Sequence, residues 1–200
     1  MSNTILEDRY QYSSPFGWRI SLPPDWHIAE QDSEDGAPPE VPAPVVVFYR
    51  VGAPSNNFSW MVSRQIVDKE LAAEFITLSM LEGPVANDEI VGLLPRTFPV
   101  IGEIDRARII AFNDGNRGLE VLETFAQGNE KKKGYQLISL LRKGGELFFQ
   151  RIAFYAAIPV FENLIGVIQA SALSFEYYRT YSFEQLSQVK SASLSNFSRE

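Results

Sequence analysis

The segment from Gly134 to Tyr178 constrains the fold of this chain more than any other part of the sequence. It reads as two long apolar strands joined by Gly144-Gly145, followed by a helix that begins near Pro159 and by a short Ser-Phe ending. Glycines between two strand-like runs are typical of a hairpin, and proline is favoured in the first turn of a helix. The segment therefore predicts a β-hairpin with a helix packed beside it.

Both faces of this hairpin are apolar. Leu137 and Leu141 point to one face of the predicted strand, whereas Ile138 and Leu140 point to the other. An antiparallel sheet with one face in water alternates between apolar and polar residues, and this one does not. We therefore expect both faces to be covered, and predicted helices at 68–82 and 159–174 can cover them. The predicted fold class is α+β, an antiparallel sheet flanked by helices on both faces in an α/β/α sandwich.

The rest of the chain supplies further strands. A hairpin is predicted from Tyr10 to Trp26. The dipeptide Asp114-Gly115, which is typical of tight hairpin turns, predicts a turn between two later strands. The other predicted strands are 45–51, 58–67, 103–112 and 119–127. Residues 27–44 read as an acidic, proline-rich surface loop, and Lys131 to Lys133 as the solvated tip of a connection.

The length of 200 residues predicts a single domain, spanning 1–178, followed by a serine-rich tail at 179–200. The formal charge of −7 disfavours nucleic acid as a partner, because such binding depends on Lys and Arg neutralising phosphates. No window approaches the roughly 18 apolar residues of a membrane span, so membrane insertion is not expected. The N-terminal residues do not resemble a signal peptide, and we expect a cytoplasmic protein.

Three segments carry a further pattern. They are YSSPFGWRISLPPDW at Tyr12–Trp26, KGGELFF at Lys143–Phe149, and the helix from Phe161 that closes in Ser174-Phe175. In this order they resemble the PsbP-like family, over roughly Tyr10 to Tyr178. That family shares its fold with a small Ran-GTPase-binding protein of nuclear transport and with bacterial DcrB-like proteins.

The resemblance implies an antiparallel sheet with helices on both sides, and a bacterial binding or assembly factor instead of an enzyme. The photosynthetic members begin with a targeting sequence, which this chain lacks, so the photosystem role is not carried over. No functional residue of the family matches a position in this sequence.

The residues themselves also argue against catalysis. Cysteine is absent, which excludes a thiolate nucleophile and cysteine-ligated metals. His27 is the single histidine and has no evident nucleophile beside it. Glu120 and Glu123 differ in strand parity, so they point to opposite faces and cannot form an acid/base pair. We therefore predict no catalytic residues, no cofactor and no enzyme activity.

Four acidic residues in the predicted loop are the candidate binding residues, namely Asp32, Glu34, Asp35 and Glu40. A calcium loop counted from Asp32 would need glycine at position six and glutamate at position twelve, but these are Ala37 and Ala43. No metal site is therefore predicted. The cluster is interpreted as a solvated loop or as a docking site for a basic protein.

Two other groups of side chains are unusual. Arg106 and Arg108 lie on an otherwise apolar strand face, which indicates either the edge of the sheet or a buried ion pair. The large apolar surfaces of Trp18, Trp26 and Trp60 predict core positions.

These observations predict a non-catalytic protein-interaction module, an adaptor, chaperone or assembly factor with an unknown protein partner. Its contact surface would be the acidic residues 30–40 or the helix at 159–174 with the tail. The sequence is also compatible with a homodimer. The alternative is a small-ligand or divalent-metal binding protein with a pocket between sheet and helices.

Overall fold

A computed structural model describes residues 10–13, 18–30, 43–50, 58–81, 84–86, 102–112, 117–143 and 146–177. The predicted binding residues Asp32, Glu34, Asp35 and Glu40 and the predicted tail at 179–200 lie outside these ranges. The elements are β1 (Tyr10–Ser13), β2 (Trp18–Leu22), β3 (Trp26–Glu30), β4 (Ala43–Arg50), β5 (Phe58–Ile66), α1 (Lys69–Ser79), β6 (Glu103–Ala111), β7 (Arg117–Gln127), β8 (Glu130–Lys143), β9 (Glu146–Ala157), α2 (Ile158–Leu173) and β10 (Glu176–Tyr177).

The strands form two antiparallel sheets. The larger sheet has seven strands in the order β3-β4-β5-β9-β8-β7-β6, and the smaller sheet has the order β1-β2-β10. The pairing of β5 with β9 brings the N-terminal half of the chain beside the C-terminal hairpin, over a register from Phe58↔Ala156 to Ile66↔Phe148. The predicted class, α+β with a mostly antiparallel sheet, is confirmed.

Two hydrophobic clusters pack against the larger sheet. The first contains Leu137 and Ile152 from the sheet together with Ile168 of α2. The second contains Ile138 and Phe149 of the sheet together with residues of α1. Successive strand residues therefore contribute to different clusters, as the two-residue period of a strand requires.

Aromatic rings form the centre of the first cluster. Trp60 stacks on Phe48 with ring centroids 4.2 Å apart, and Trp26 meets it edge-on at 4.8 Å. Trp26 and Trp60 are both buried, which confirms the prediction that they lie in the core. The side chain of Trp18 lies outside the part that the structure describes.

The prediction of a loop beginning at residue 27 is wrong, because Trp26–Glu30 is strand β3. The backbone N–H of Trp26 donates to the Pro23 carbonyl at 3.2 Å and closes a turn after β2. The chain then pairs with β4, with Ile28 opposite Phe48. Pro23 and Pro24 therefore lie in the turn between β2 and β3.

The prediction that Lys131 to Lys133 form a hairpin tip is also wrong. Gln127 pairs with Glu130, so the turn consists of Gly128 and Asn129 alone. Gly128 has a φ of 63°, which glycine adopts at little cost at the first central position of a two-residue turn. Because the turn is this short, the lysines belong to β8 and pair with residues of β7.

The Ser-Phe ending of α2 has a clear structural role. The Ser174 hydroxyl accepts a hydrogen bond from the Ser21 N–H at 2.8 Å and donates to the Ser171 carbonyl at 2.6 Å. Phe175 is buried in the first cluster. These contacts join the C-terminus of α2 to the smaller sheet.

Helix α1 begins one residue later than predicted and ends earlier, at Ser79. Asp68 is its N-cap, since its Oδ1 accepts a hydrogen bond from the Leu71 N–H at 2.7 Å. The buried residues of α1 are Leu71, Ala72, Phe75 and Leu78, which follow the predicted helical spacing.

We expect Asp68→Ala to lower the free energy of unfolding by about 1 kcal/mol, because an orphan N–H at the start of α1 loses its acceptor. Asp68→Asn should retain most of the stability, since asparagine caps as well as aspartate does. Urea unfolding followed by circular dichroism measures both variants. Equal losses in the two would contradict the capping role.

Candidate functional site

Arg106 and Arg108 lie on β6, which is an end strand of the larger sheet. They are two residues apart, so both side chains leave the strand on the same face. Arg108 pairs directly with Glu120 of β7, and Arg106 pairs with Leu122. Strand register therefore places one glutamate beside two arginines at the edge of the sheet.

Glu120 binds both arginines through a single oxygen. Its Oε2 accepts a hydrogen bond from Arg108 Nε at 2.5 Å and another from Arg106 Nη2 at 3.3 Å. Its Oε1 accepts a hydrogen bond from Gln169 Nε2 of α2 at 3.2 Å. The carboxylate thus connects the edge strand, its neighbour and the helix.

The three charged side chains differ sharply in exposure. The Glu120 side chain is 2% exposed, whereas those of Arg106 and Arg108 are 48% and 45% exposed. The hydrogen bond to Glu120 raises the pKa of Arg108 above its ordinary value, and burial partly opposes this rise. The prediction of the sheet edge is confirmed, whereas the predicted buried ion pair is buried only on the side of Glu120.

Tyr135 lies next to this group. It pairs with Leu122, which in turn pairs with Arg106, so the three residues form one row across β8, β7 and β6. Its hydroxyl is buried and makes no hydrogen bond with any residue that the structure describes. Burial raises the pKa of Tyr135, the charge of Glu120 raises it further, and those of Arg108 and Arg106 oppose the rise.

Apolar side chains surround the same edge. Pro84 pairs with Arg108 across an isolated bridge, and the Val85 N–H donates to the Ala107 carbonyl at 3.2 Å. Arg117 Nη1 of β7 donates to the Ser79 carbonyl at 3.2 Å, which holds the C-terminal end of α1 near the start of β7. Three of the large apolar side chains that the structure shows as exposed lie in the last turn of α1 or just after it, namely Ile76, Met80 and Leu81.

We define the edge surface as Ile76, Met80, Leu81, Pro84, Arg106 and Arg108. Leu81 is three residues before Pro84, a span of at most about 11 Å even in an extended chain. Met80 is 71% exposed, more than the other large apolar side chains seen here. The edge surface therefore includes two cations that Glu120 holds and, a short stretch of chain before Pro84, exposed apolar groups at the end of α1.

Glu123 belongs to a different polar group. Its Oε1 accepts a hydrogen bond from Gln136 Nε2 at 2.6 Å, and its Oε2 accepts one from the Gly102 N–H at 3.3 Å. A Cβ atom at Gly134 would lie 2.8 Å from both Glu123 Cγ and Tyr155 Cε1, so glycine allows these two side chains to approach. Glu120 and Glu123 thus have separate partners, as strand parity predicts.

His27, the histidine considered above for catalysis, lies on β3. His27 is exposed and stacks on Tyr49 with ring centroids 5.5 Å apart.

Over the described ranges, no three His, Cys, Asp or Glu side chains come together in a way that could hold a metal ion. Neither helix of the described chain is long and apolar enough to cross a membrane. What the edge surface offers chemically is hydrogen-bond donors and positive charge.

Comparison with known proteins gives a likeness in structure alone. No protein-family model and no curated protein matches the sequence. Cyanobacterial PsbP (CyanoP) from Synechocystis sp. PCC 6803 is 14% identical, with a TM-score of 0.49 over 89% of this chain and 97% of that chain. LpqN, involved in cell envelope biogenesis of Mycobacterium tuberculosis, is 12% identical, with a TM-score of 0.50 over 86% and 91%.

At a TM-score of 0.50, the likeness to LpqN supports the fold that the sequence predicts. The resemblance predicted from the sequence is confirmed at this level. Identities of 12% and 14% concern the fold alone, so no activity or binding partner follows from them.

Sequence reasoning identified the two arginines but missed the group that holds them. Glu120 was considered only as half of a catalytic pair, and Tyr135 and Gln169 were not singled out. The contact between Arg108 and Glu120 depends on the register of β6 against β7, which contains a shift between Ile104 and Arg106. The unusual charge on an apolar face was the available signal.

We expect Tyr135→Phe to raise the free energy of unfolding by about 1 kcal/mol, because a buried hydroxyl without a partner opposes folding. Tyr49→Phe is the matched control, since Tyr49 is exposed and should show little change. Urea unfolding measures both. A clear loss of stability in Tyr135→Phe would show that the hydroxyl has a binding partner.

Tyr155 should make stability depend on alkaline pH. Burial raises its pKa from 10.0 to about 12, with Arg151 lowering it and Glu123 raising it. Between these values the unfolded chain loses a proton that the native state keeps, so stability is full below pH 10 and falls as the pH approaches 12. Between pH 9 and pH 11, we expect the free energy of unfolding to fall by about 1 kcal/mol less in Tyr155→Phe than in the parent protein. Parallel pH profiles of urea unfolding would contradict this.

Proposed function

We propose that this protein is a non-catalytic protein-interaction module that acts as an adaptor, chaperone or assembly factor and binds its partner through the edge surface. The observation that carries the proposal is the pair of half-exposed arginines held by one buried glutamate. A guanidinium that is already fixed loses little side-chain entropy on binding, so its hydrogen bonds contribute more to affinity.

The composition of the edge surface supports a protein partner. Arginine and methionine are enriched in the cores of protein interfaces, and arginine is among the residues that carry most binding energy. Met80, Leu81 and Ile76 offer exposed apolar area, and the chain runs on from Leu81 to Pro84, which pairs with Arg108. A small ligand would not need apolar groups spread around a strand edge.

The strand edge itself is partly occupied. Pro84 pairs with Arg108, and Val85 uses the Ala107 carbonyl, so a partner strand could not extend the sheet through this point. Proline beside an edge strand is a common protection against such pairing. We therefore propose recognition through side chains instead of strand addition.

The acidic residues Asp32, Glu34, Asp35 and Glu40 are proposed as a second contact, for a basic segment of a partner. Their support comes from the sequence alone, through their charge. Replacing Asp32, Glu34 and Asp35 with the corresponding amides and measuring capture of a partner tests this contact separately.

We also propose that the two helices cover opposite faces of the larger sheet, in an α/β/α sandwich. The alternation of strand residues between the two hydrophobic clusters supports this arrangement, since neighbouring residues such as Leu137 and Ile138 pack with different helices. In this arrangement Arg106 and Arg108 lie on the side of the sheet where Gln169 of α2 reaches Glu120, and the exposed residues of α1 lie on the other side of the strand edge.

The double change Arg106→Gln and Arg108→Gln should remove binding to the partner. Because Glu120 then loses both charged donors, a circular dichroism spectrum must show that the variant is folded. Protein captured from lysate of the native host on the immobilised chain is quantified by mass spectrometry for each variant. We expect a specific partner to decrease by about tenfold or more, as truncated interface arginines cost 1–2 kcal/mol or more. Met80→Asp should weaken the same partner.

Arg50→Gln is the matched control. Arg50 is as exposed as Arg108 and is also paired with a carboxylate, Asp25, but it lies on β4. Capture should be unchanged in this variant. Equal capture by the Arg106/Arg108 variant and the parent protein would overturn the proposed surface.

A further inference from the structure

We infer that the group recognised at Arg106 and Arg108 is a carboxylate of an acidic protein segment, with Glu120 as the positioning residue. The inference rests on the proposed function, because it names the chemistry of the partner at the edge surface. Three observations carry it, namely the donors that remain on the two arginines, the local balance of charge, and the burial of Glu120.

Glu120 uses only part of each guanidinium. It takes the Nε–H of Arg108, so the two terminal nitrogens of Arg108 have no partner among the residues that the structure describes. It takes one N–H from Arg106 Nη2, which leaves the Nη1 end of that group. Arginine has five N–H donors in a planar fork, and a pair of parallel N–H groups matches the two oxygens of a carboxylate.

The local charge favours a single negative charge over a double one. Two arginines against one glutamate leave one net positive charge at the contact itself. Glu103 and Asp105 lie on the same strand, and Asp105 accepts a hydrogen bond from the Thr124 hydroxyl at 2.8 Å. These carboxylates would repel a dianionic phosphate twice as strongly as a single carboxylate. In the described part of the chain, neither a lysine nor a helix N-terminus contacts the two arginines.

Glu120 holds the guanidinium groups in place. It is buried and bonded on its other oxygen to Gln169 of α2, so it cannot turn away with the flexible arginine side chains. Holding the guanidinium groups in place is a different role from neutralising their charge. Loss of the charge alone would make the site more positive and strengthen binding of an anion, whereas loss of the positioning contact would weaken it.

The experiment is a titration of the ¹⁵N-labelled full chain, followed through the arginine Nε–Hε signals by NMR. The probes are a capped glycine-serine peptide with one glutamate, the same peptide with glutamine, and inorganic phosphate. We expect the glutamate peptide to move the Arg106 and Arg108 signals with saturation and to leave the Arg50 signal in place. The glutamine peptide should move neither, because it lacks the charge.

Glu120→Gln tests the positioning role. Its side chain has the same size and can still accept hydrogen bonds, but charge-assisted bonds are about twice as strong as neutral ones. We expect binding of the glutamate peptide to weaken by about tenfold, which corresponds to 1.4 kcal/mol. Equal or tighter binding would overturn the positioning role, and a native circular dichroism spectrum establishes that the variant is folded.

The outcomes separate this inference from the proposed function. If phosphate moves the arginine signals at lower concentration than the glutamate peptide, the site takes phosphate and the carboxylate assignment is wrong. If neither probe moves them while partner capture still depends on both arginines, the carboxylate assignment fails and the interaction surface stands. If capture is independent of the arginines but the peptide binds, the proposed surface fails and the anion site stands.

Discussion

The pairing of β5 with β9 is the interaction on which the rest of the structure depends. It runs from Phe58↔Ala156 to Ile66↔Phe148 and places the first half of the chain beside the hairpin of β8 and β9. Without this pairing, Trp60 would not reach the first hydrophobic cluster, and β3 and β4 would have no sheet to extend. The contact is distant in sequence, so the turns and the local propensities cannot create it by themselves.

The far end of the same sheet shows how an edge strand can carry charge without losing its packing. The row that contains Arg106 continues through Leu122, Tyr135 and Phe154 to Trp60, so it changes from charged to aromatic within a few strands. Glu120 stands at the boundary, where a buried carboxylate is tolerated because three donors satisfy it. Through Glu120, the two arginines at the edge are connected to the buried part of the sheet and to α2.

Sequence patterns predicted the strands, the helices and the general class because these follow from residue spacing within a few turns. Two local errors have physical reasons. The turn at Gly128-Asn129 is shorter than the lysine-rich composition suggested, so the lysines lie in β8. Strand β3 begins soon after the prolines because Trp26 and Ile28 pair with residues of β4. The candidate site was only half predicted, since Arg106 and Arg108 were identified and Glu120, Tyr135 and Gln169 were not placed with them.

The sequence by itself determined an antiparallel α+β domain with a buried hairpin and unusual arginines on one strand, because alternation and helical spacing are properties of short segments. Only the tertiary structure decided that those arginines meet Glu120 and that Arg108 pairs with Pro84. The reason is that cross-strand register, here with a shift beside Arg106, and helix docking through Gln169 are set by packing between segments far apart in the chain.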